Sequence, residues 1–126
     1  MGLNLLNKKL AGKDLATMTV GCMRWDGPDH VTEIVHECVE NGALYLDTSP
    51  MYCFQSNTEN SETWVGRAIK GIRDKVILSA KCSPGNGGTG IGDWEPEKGF
   101  SNQTADQVRR TIEQSLTRLG VDSFDC

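Results

Sequence analysis

Lys75-Val76-Ile77-Leu78-Ser79-Ala80 is the clearest strand in the chain, a short run rich in β-branched and apolar residues that passes directly into Lys81. Ala43-Leu44-Tyr45-Leu46-Asp47 has the same form, an apolar run closed by a charge. Working outward, Leu15-Ala16-Thr17-Met18-Thr19-Val20 reads as a first inner strand and residues 121–126 as the beginning of a fourth. Between them lie three helical patterns. Val31, Ile34, Val35, Cys38 and Val39 form an amphipathic stripe, with Asp29 placed to cap its start and Asn41-Gly42 its end. Residues 60–70 turn Val65, Ala68 and Ile69 inward and stop at Gly71. Residues 104–119 open with the capping box Thr104-x-x-Gln107, carry the stripe Val108, Ile112, Leu116 and Leu119, and stop at Gly120. Strands separated by helices, each helix closed by a glycine, predict repeated βα units and a parallel sheet of the α/β class. Residues 3–14, with Leu5, Leu6 and Leu10 around Gly12, read as a hairpin ahead of the first inner strand.

The chain has 126 residues, enough for one domain with a core. Its 37% hydrophobic and 24% charged residues describe a folded chain, not a disordered one. The net charge of −4 comes without a basic stripe, which argues against nucleic acid or an anionic membrane as a general partner. Lys8-Lys9 and Arg109-Arg110 read as solvated faces. No apolar run approaches the roughly 20 residues that cross a bilayer, and no basic start leads into a long apolar stretch as in a signal peptide. The five cysteines are odd in number and form no C-x-x-C pair, which fits a reducing cytoplasm better than a disulfide framework or a zinc ribbon. The Gly-rich stretch 83–103 exceeds the usual connection of about 4–6 residues. It reads as a lid or binding loop or as a surface insertion, with Trp94 and Phe100 reaching substrate or packing locally.

In parallel βα architectures chemistry gathers at the C-terminal ends of strands. Asp47 and Lys81 both stand there, and charges so close to a core are seldom left unpaired. Tyr52 follows Asp47 closely enough for the next loop to swing it over the same point. A free tyrosine, with a pKa of about 10, is a poor acid at neutral pH. A nearby ammonium stabilises the phenolate, and a carboxylate holds that ammonium in place. The trio then suits protonation of a carbonyl oxygen while a hydride arrives at carbon. By spacing alone, a structural ion pair beside an unrelated loop tyrosine is the somewhat stronger reading.

Four segments together resemble the aldo-keto reductase family. Ala43-Leu44-Tyr45-Leu46-Asp47-Thr48-Ser49-Pro50-Met51-Tyr52, followed by Ser61-Glu62-x-x-Val65-Gly66-Arg67-Ala68, is similar to its first signature. Residues 73–81 resemble its third strand, ending in the catalytic lysine. Residues 108–125 are similar to its third helix and fourth strand, and Val20-Gly21-Cys22-Met23-Arg24-Trp25 resembles its first strand-end turn. The resemblance spans essentially the whole chain. It implies the N-terminal half, about four βα units, of a (β/α)8 TIM barrel, with residues 1–126 a partial barrel domain cut off in the fourth strand. It implies an oxidoreductase that reduces an aldehyde or ketone to an alcohol with NADPH, or alternatively NADH. Tyr52 is then the proton donor, Lys81 lowers its pKa, and Asp47 orients Lys81 and touches the nicotinamide ribose. Gly21, Cys22 and Met23 lie near the cofactor, and Trp25 lines the substrate pocket. No metal ligands are implied.

The family's fourth catalytic residue, a histidine soon after the fourth strand begins, extrapolates to a few positions past Cys126. The main phosphate and adenine contacts come from the later half of the barrel. His30 and His36 do not stand in for that histidine and read as satisfied surface residues. Four strands leave two open edges that a closed barrel lacks. The chain therefore reads as a fragment of a longer protein or a truncated gene product, with self-association through the open edges as an alternative cover. By itself it is expected to bind NADPH weakly. Cys22, Cys53, Cys82 and Cys126 follow the four strands in turn and read as small packable residues near a pocket rather than as a metal or redox cluster. Two further functional readings stand beside the carbonyl reductase. One is a non-catalytic cofactor-binding or regulatory subunit on the same scaffold, the other an inactive remnant. The joint presence of Asp47, Tyr52 and Lys81 favours the enzyme.

Overall fold

A computed structural model describes residues 5–56, 58–82 and 104–126. The expected lid or binding loop at 83–103, with Trp94 and Phe100, lies outside the described residues. The chain opens with an antiparallel hairpin of β1 (Leu5–Leu10) and β2 (Lys13–Ala16), turned through Ala11 and Gly12, both at positive φ. Next come β3 (Val20–Gly21), α1 (Val31–Glu40), β4 (Tyr45–Asp47), α2 (Ser61–Ala68), a single 3-10 turn, β5 (Ile77–Ser79) and α3 (Ala105–Leu119). The strands β3, β4 and β5 form a parallel three-stranded sheet in that order, Gly21 beside Asp47 and Asp47 beside Ser79.

Side chains alternate across a strand, so a parallel sheet carries two different faces. One face supplies Val20, Leu46, Val76 and Leu78 to the core, where they meet Val31 and Val35 of α1, Trp64, Val65 and Ala68 of α2, and Leu119 of α3. Complete burial of a leucine such as Leu46 or Leu78 contributes about 2 kcal/mol each. The other face carries Gly21, Asp47 and Ser79, and Lys81 continues it beyond the end of β5. The alternation thus separates what holds the fold from what is free for chemistry.

Four sequence expectations are corrected. The first inner strand is shorter than 15–20: Leu15 and Ala16 belong to the hairpin, residues 17–19 are exposed, and only Val20 and Gly21 pair with β4. The segment 121–126 is not a strand. Its backbone bonds to β5 come from its last two residues, with Asp125 N–H on Leu78 O at 2.9 Å and Ala80 N–H on Cys126 O at 3.1 Å, too short a ladder to make one. The cap of α1 is His30, not Asp29, because helical backbone starts at Val31, and the His30 side chain makes no capping bond. Finally, Ile34 and Ile112 are 41% and 38% exposed, although both lie in expected apolar stripes. In α1 the buried line runs through Val31 and Val35, leaving Ile34 at its margin. In α3 full burial is reached only at Ser115 and Leu119.

The other helix signals held. Thr104 and Gln107 form the reciprocal capping box of α3, and Gly120 ends it in a left-handed conformation at φ 65°. The helices α2 and α3 touch backbone to backbone: a Cβ on Gly66 would sit 2.5 Å from the carbonyl oxygen of Leu119. Only glycine permits that approach.

Candidate active site

Asp47 is the last residue of β4, and Lys81 stands two residues past the end of β5. The neighbouring register of these strands brings them into an ion pair, Lys81 Nζ to Asp47 Oδ2 at 2.5 Å. The same ammonium lies 3.4 Å from the carbonyl oxygen of Thr48 and 4.8 Å from the centre of the Tyr52 ring. The structure therefore brings Asp47, Tyr52 and Lys81 to one point at the C-terminal ends of the strands. Burial works against the Lys81 charge, but hydrogen bonding and charge attraction from Asp47 and Tyr52 outweigh it and hold the ammonium pKa above its ordinary value.

The loop carrying Tyr52 is fixed by its backbone. Tyr52 N–H donates to Ser49 O at 3.1 Å, and its carbonyl accepts from Ser61 N–H at 2.9 Å. Beneath it runs a buried polar chain. Thr48 Oγ1 and Ser61 Oγ are 2.9 Å apart, and Ser61 Oγ donates to Cys22 O at 2.9 Å. The Cys53 thiol donates to Met23 O at 3.4 Å from a residue held at φ 51°. The expected cofactor turn, Gly21 to Met23, is thereby tied to the loop of the expected acid.

Within that turn Gly21 and Met23 are exposed, while the Cys22 side chain is wholly buried in the core. Burial, reinforced by the charge of Asp47, pushes the Cys22 thiol up to about 12, so it is an uncharged packing group at neutral pH. Trp25 is half-buried and packs against the core cluster. Cys53 is half-buried, Cys82 and Cys126 are exposed, and all are free thiols. Among the described residues no three His, Cys, Asp or Glu side chains converge on a metal position. His36 Nε2 lies 2.8 Å from Ala68 O at the end of α2, and His30 faces Glu33 at 3.8 Å, both away from the site. At the strand-end face nothing among the described residues lies within 4 Å of a Cβ placed on Gly21, and Asp47 and Lys81 stay partly exposed.

The opposite end of the sheet looks like a site but is not built like one. A groove lined by Lys13, Arg67, Arg73, Arg118 and Asp125 lies at the N-terminal end of β5 and the C-terminal ends of α2 and α3. Most of its charges are consumed internally. Asp125 takes Arg73 at 2.9 Å and Lys13 at 3.4 Å, and Arg118 takes Glu62 at 2.6 Å.

Sequence reasoning missed the supports: Ser79, which donates to Asp47 Oδ1 at 3.2 Å, Thr48 and Ser61 under the loop, and Asn60, a fully buried cap that accepts from Glu62 N–H and Thr63 N–H. A signal existed for Ser79. It is a hydroxyl in an otherwise apolar strand, two residues before Lys81 and hence on its face.

This arrangement is a parallel βα scaffold with a carboxylate, an ammonium and a tyrosine gathered at its strand ends, and the chain belongs to the aldo-keto reductase family. The aldo/keto reductase family model matches residues 17–126. Among curated proteins, the chain is 33% identical over 115 residues to aldo-keto reductase YhdN of Bacillus subtilis, covering 88% of this chain and 31% of that protein. It is 32% identical over 96 residues to the NADH-specific methylglyoxal reductase of Escherichia coli, covering 71% of this chain and 26% of that one. Among solved structures, the holo form of an aldo-keto reductase from Bacillus halodurans superposes with a TM-score of 0.69 at 25% identity, over 93% of this chain and 37% of that chain. The chain spans about a third of the length of the curated relatives it matches. Its fold is the N-terminal part of a (β/α)8 barrel, a parallel sheet and its helices without closure. No helix among the described residues is long and apolar enough to cross a membrane.

Proposed function

We propose that this chain supplies the proton-donating part of an NAD(P)H-dependent carbonyl reductase, with residues 1–126 forming one section of its barrel domain. The observation that carries this reading is the convergence of Tyr52, Lys81 and Asp47 at the strand ends. When bound, a nicotinamide dinucleotide would supply the hydride that reduces the carbonyl carbon of an aldehyde or ketone. Tyr52 donates its phenolic proton to the carbonyl oxygen, which becomes the alcohol. Lys81, kept charged by Asp47, stabilises the phenolate that remains. The turn of Gly21, Cys22 and Met23 would hold the cofactor, and Asp47 would hold its nicotinamide ribose. Trp25 borders the carbonyl substrate. NADPH is the cofactor proposed, with NADH, for which the E. coli relative is named specific, as the alternative. The free thiols support a cytoplasmic setting, and the open edges of the sheet support self-association of the chain when it stands alone.

The test is NADPH-dependent reduction of a small aldehyde by the protein carrying the remaining barrel. Tyr52→Phe is expected to lower the rate by about a hundredfold to ten-thousandfold while NADPH binding survives. Wild-type turnover in that variant sinks the reading. The 126-residue chain alone is expected to bind NADPH weakly, and a fluorescence titration giving micromolar or tighter affinity contradicts that part of the proposal.

A further inference from the structure

We infer that Ser79 is a positioning residue for the Asp47–Lys81 pair: its hydroxyl holds one oxygen of the Asp47 carboxylate so that the other is presented to Lys81. This rests on the reading of Asp47, Tyr52 and Lys81 as an acid system. Three observations carry it. Asp47 and Ser79 are Cα partners in the parallel ladder, and Lys81 follows on the same face, so both side chains address one carboxylate from one strand. Ser79 Oγ donates to Oδ1 at 3.2 Å while Lys81 Nζ donates to Oδ2 at 2.5 Å, which divides the two oxygens between two fixed donors. Ser79 is only 8% exposed, in a strand otherwise made of Ile77 and Leu78, where a hydroxyl is costly unless it is bonded.

The torsion that turns a carboxylate about its last bond is broad and roughly two-fold. Held at both oxygens, Asp47 cannot rotate without losing a bond. Its second oxygen stays on the side that keeps the Lys81 ammonium 4.8 Å from the Tyr52 ring centre. Without Ser79 the carboxylate turns toward water, and Lys81, whose side chain is 40% exposed, follows it or lets go. Ser79 itself touches no reacting atom. Its influence on proton transfer passes through Asp47 to Lys81.

The experiment is an NMR titration of the Lys81 side chain, 13C-labelled at lysine and assigned by loss of its signal in Lys81→Arg, in this chain and in Asp47→Asn, Ser79→Ala and Ser79→Thr. Removing the carboxylate charge is expected to lower the Lys81 midpoint most. Ser79→Ala is expected to lower it by about half a pH unit, and Ser79→Thr, which keeps the hydroxyl, to restore it. An unchanged midpoint in Ser79→Ala alongside a lowered one in Asp47→Asn overturns the inference and leaves the acid system standing. An unchanged midpoint in Asp47→Asn overturns the acid system, and the inference with it. If Ser79→Ala does not fold, the near-isosteric Ser79→Cys, a much weaker donor, carries the same expectation. A wild-type Lys81 midpoint there counts against the inference.

Discussion

The two ends of the parallel sheet each join acids to bases, and they do so under opposite conditions. At the C-terminal end, the side chains of Asp47 and Lys81 are 33% and 40% exposed. At the N-terminal end, Asp125 is 11% exposed and is held by Arg73, Lys13 and the backbone N–H of Leu78 at 2.8 Å. Glu62, in the first turn of α2, is fully buried against Arg118. Exposed ion pairs contribute little to stability, whereas stripping one partner from a buried pair strands a charge in a poor solvent for it. Stability therefore accounts for the lower cluster and leaves the upper pair unexplained, which is what a pair kept open for chemistry requires. One strand serves both ends, since Leu78 steadies Asp125 and the next residue, Ser79, steadies Asp47.

The largest expected effect breaks the lower cluster. Asp125→Ala removes the acceptor shared by Arg73, Lys13 and Leu78 N–H and should cost about 3 kcal/mol in urea denaturation of the chain. A loss below about 0.5 kcal/mol, the usual scale of surface changes, erases the contrast between the two ends. Gly66→Ala comes next. Its Cβ meets the Leu119 backbone, so α2 and α3 must part, at an expected cost of about 2 kcal/mol.

Smaller effects separate the carboxylates of Asp125 and Glu62 by sign. Although burial opposes it, the Leu78 N–H and Arg73 hold Asp125 below the ordinary carboxylate range. Its contribution is present above about pH 3.9 and is lost as pH falls through its lower folded value. Glu62 is the reverse. Burial outweighs Arg118 and Ser115 and raises it, and its second oxygen has no hydrogen-bond partner among the described residues. From about pH 4.3 upward to its raised value, this group makes the fold less stable as pH rises. Urea midpoints measured across pH should show that decline in the wild type and a flatter profile in Glu62→Gln. Equal profiles mean that Glu62 ionises without cost.

How much of this was legible in the sequence divides along physical lines. The sheet partners, the closing glycines and the Thr104 capping box follow from local chemistry and were readable. So was the trio at the strand ends, because a charge closing an apolar run points to a strand terminus. The exact end of the hairpin was not, since Leu15 and Ala16 suit either an edge ladder or an inner strand and only the register with Leu5 decides. The pairing of Asp125 with Lys13 was not either, because the two lie at opposite ends of the chain and no local pattern joins them. Ser61 was hidden for another reason: a serine outside an apolar strand declares its role only through the acceptor it meets, here the carbonyl of Cys22.

The smallest expected effect is the sharpest test of the comparison. Lys81→Met removes the ammonium and keeps most of the apolar stem. Asp47 then loses its counter-charge but not its access to water, and it keeps the Ser79 hydroxyl. The expected change in unfolding free energy is therefore less than about 1 kcal/mol, against about three times that for Asp125→Ala. The same urea measurement on both variants decides the matter. If Lys81→Met proves as damaging as Asp125→Ala, the upper pair is a clasp like the lower one, and its open placement at the strand ends no longer argues for proton transfer. If the two differ as expected, Lys81 can be lost without loss of the fold, and whatever fails in that variant, the proton-transfer chemistry first, fails for want of the charge itself.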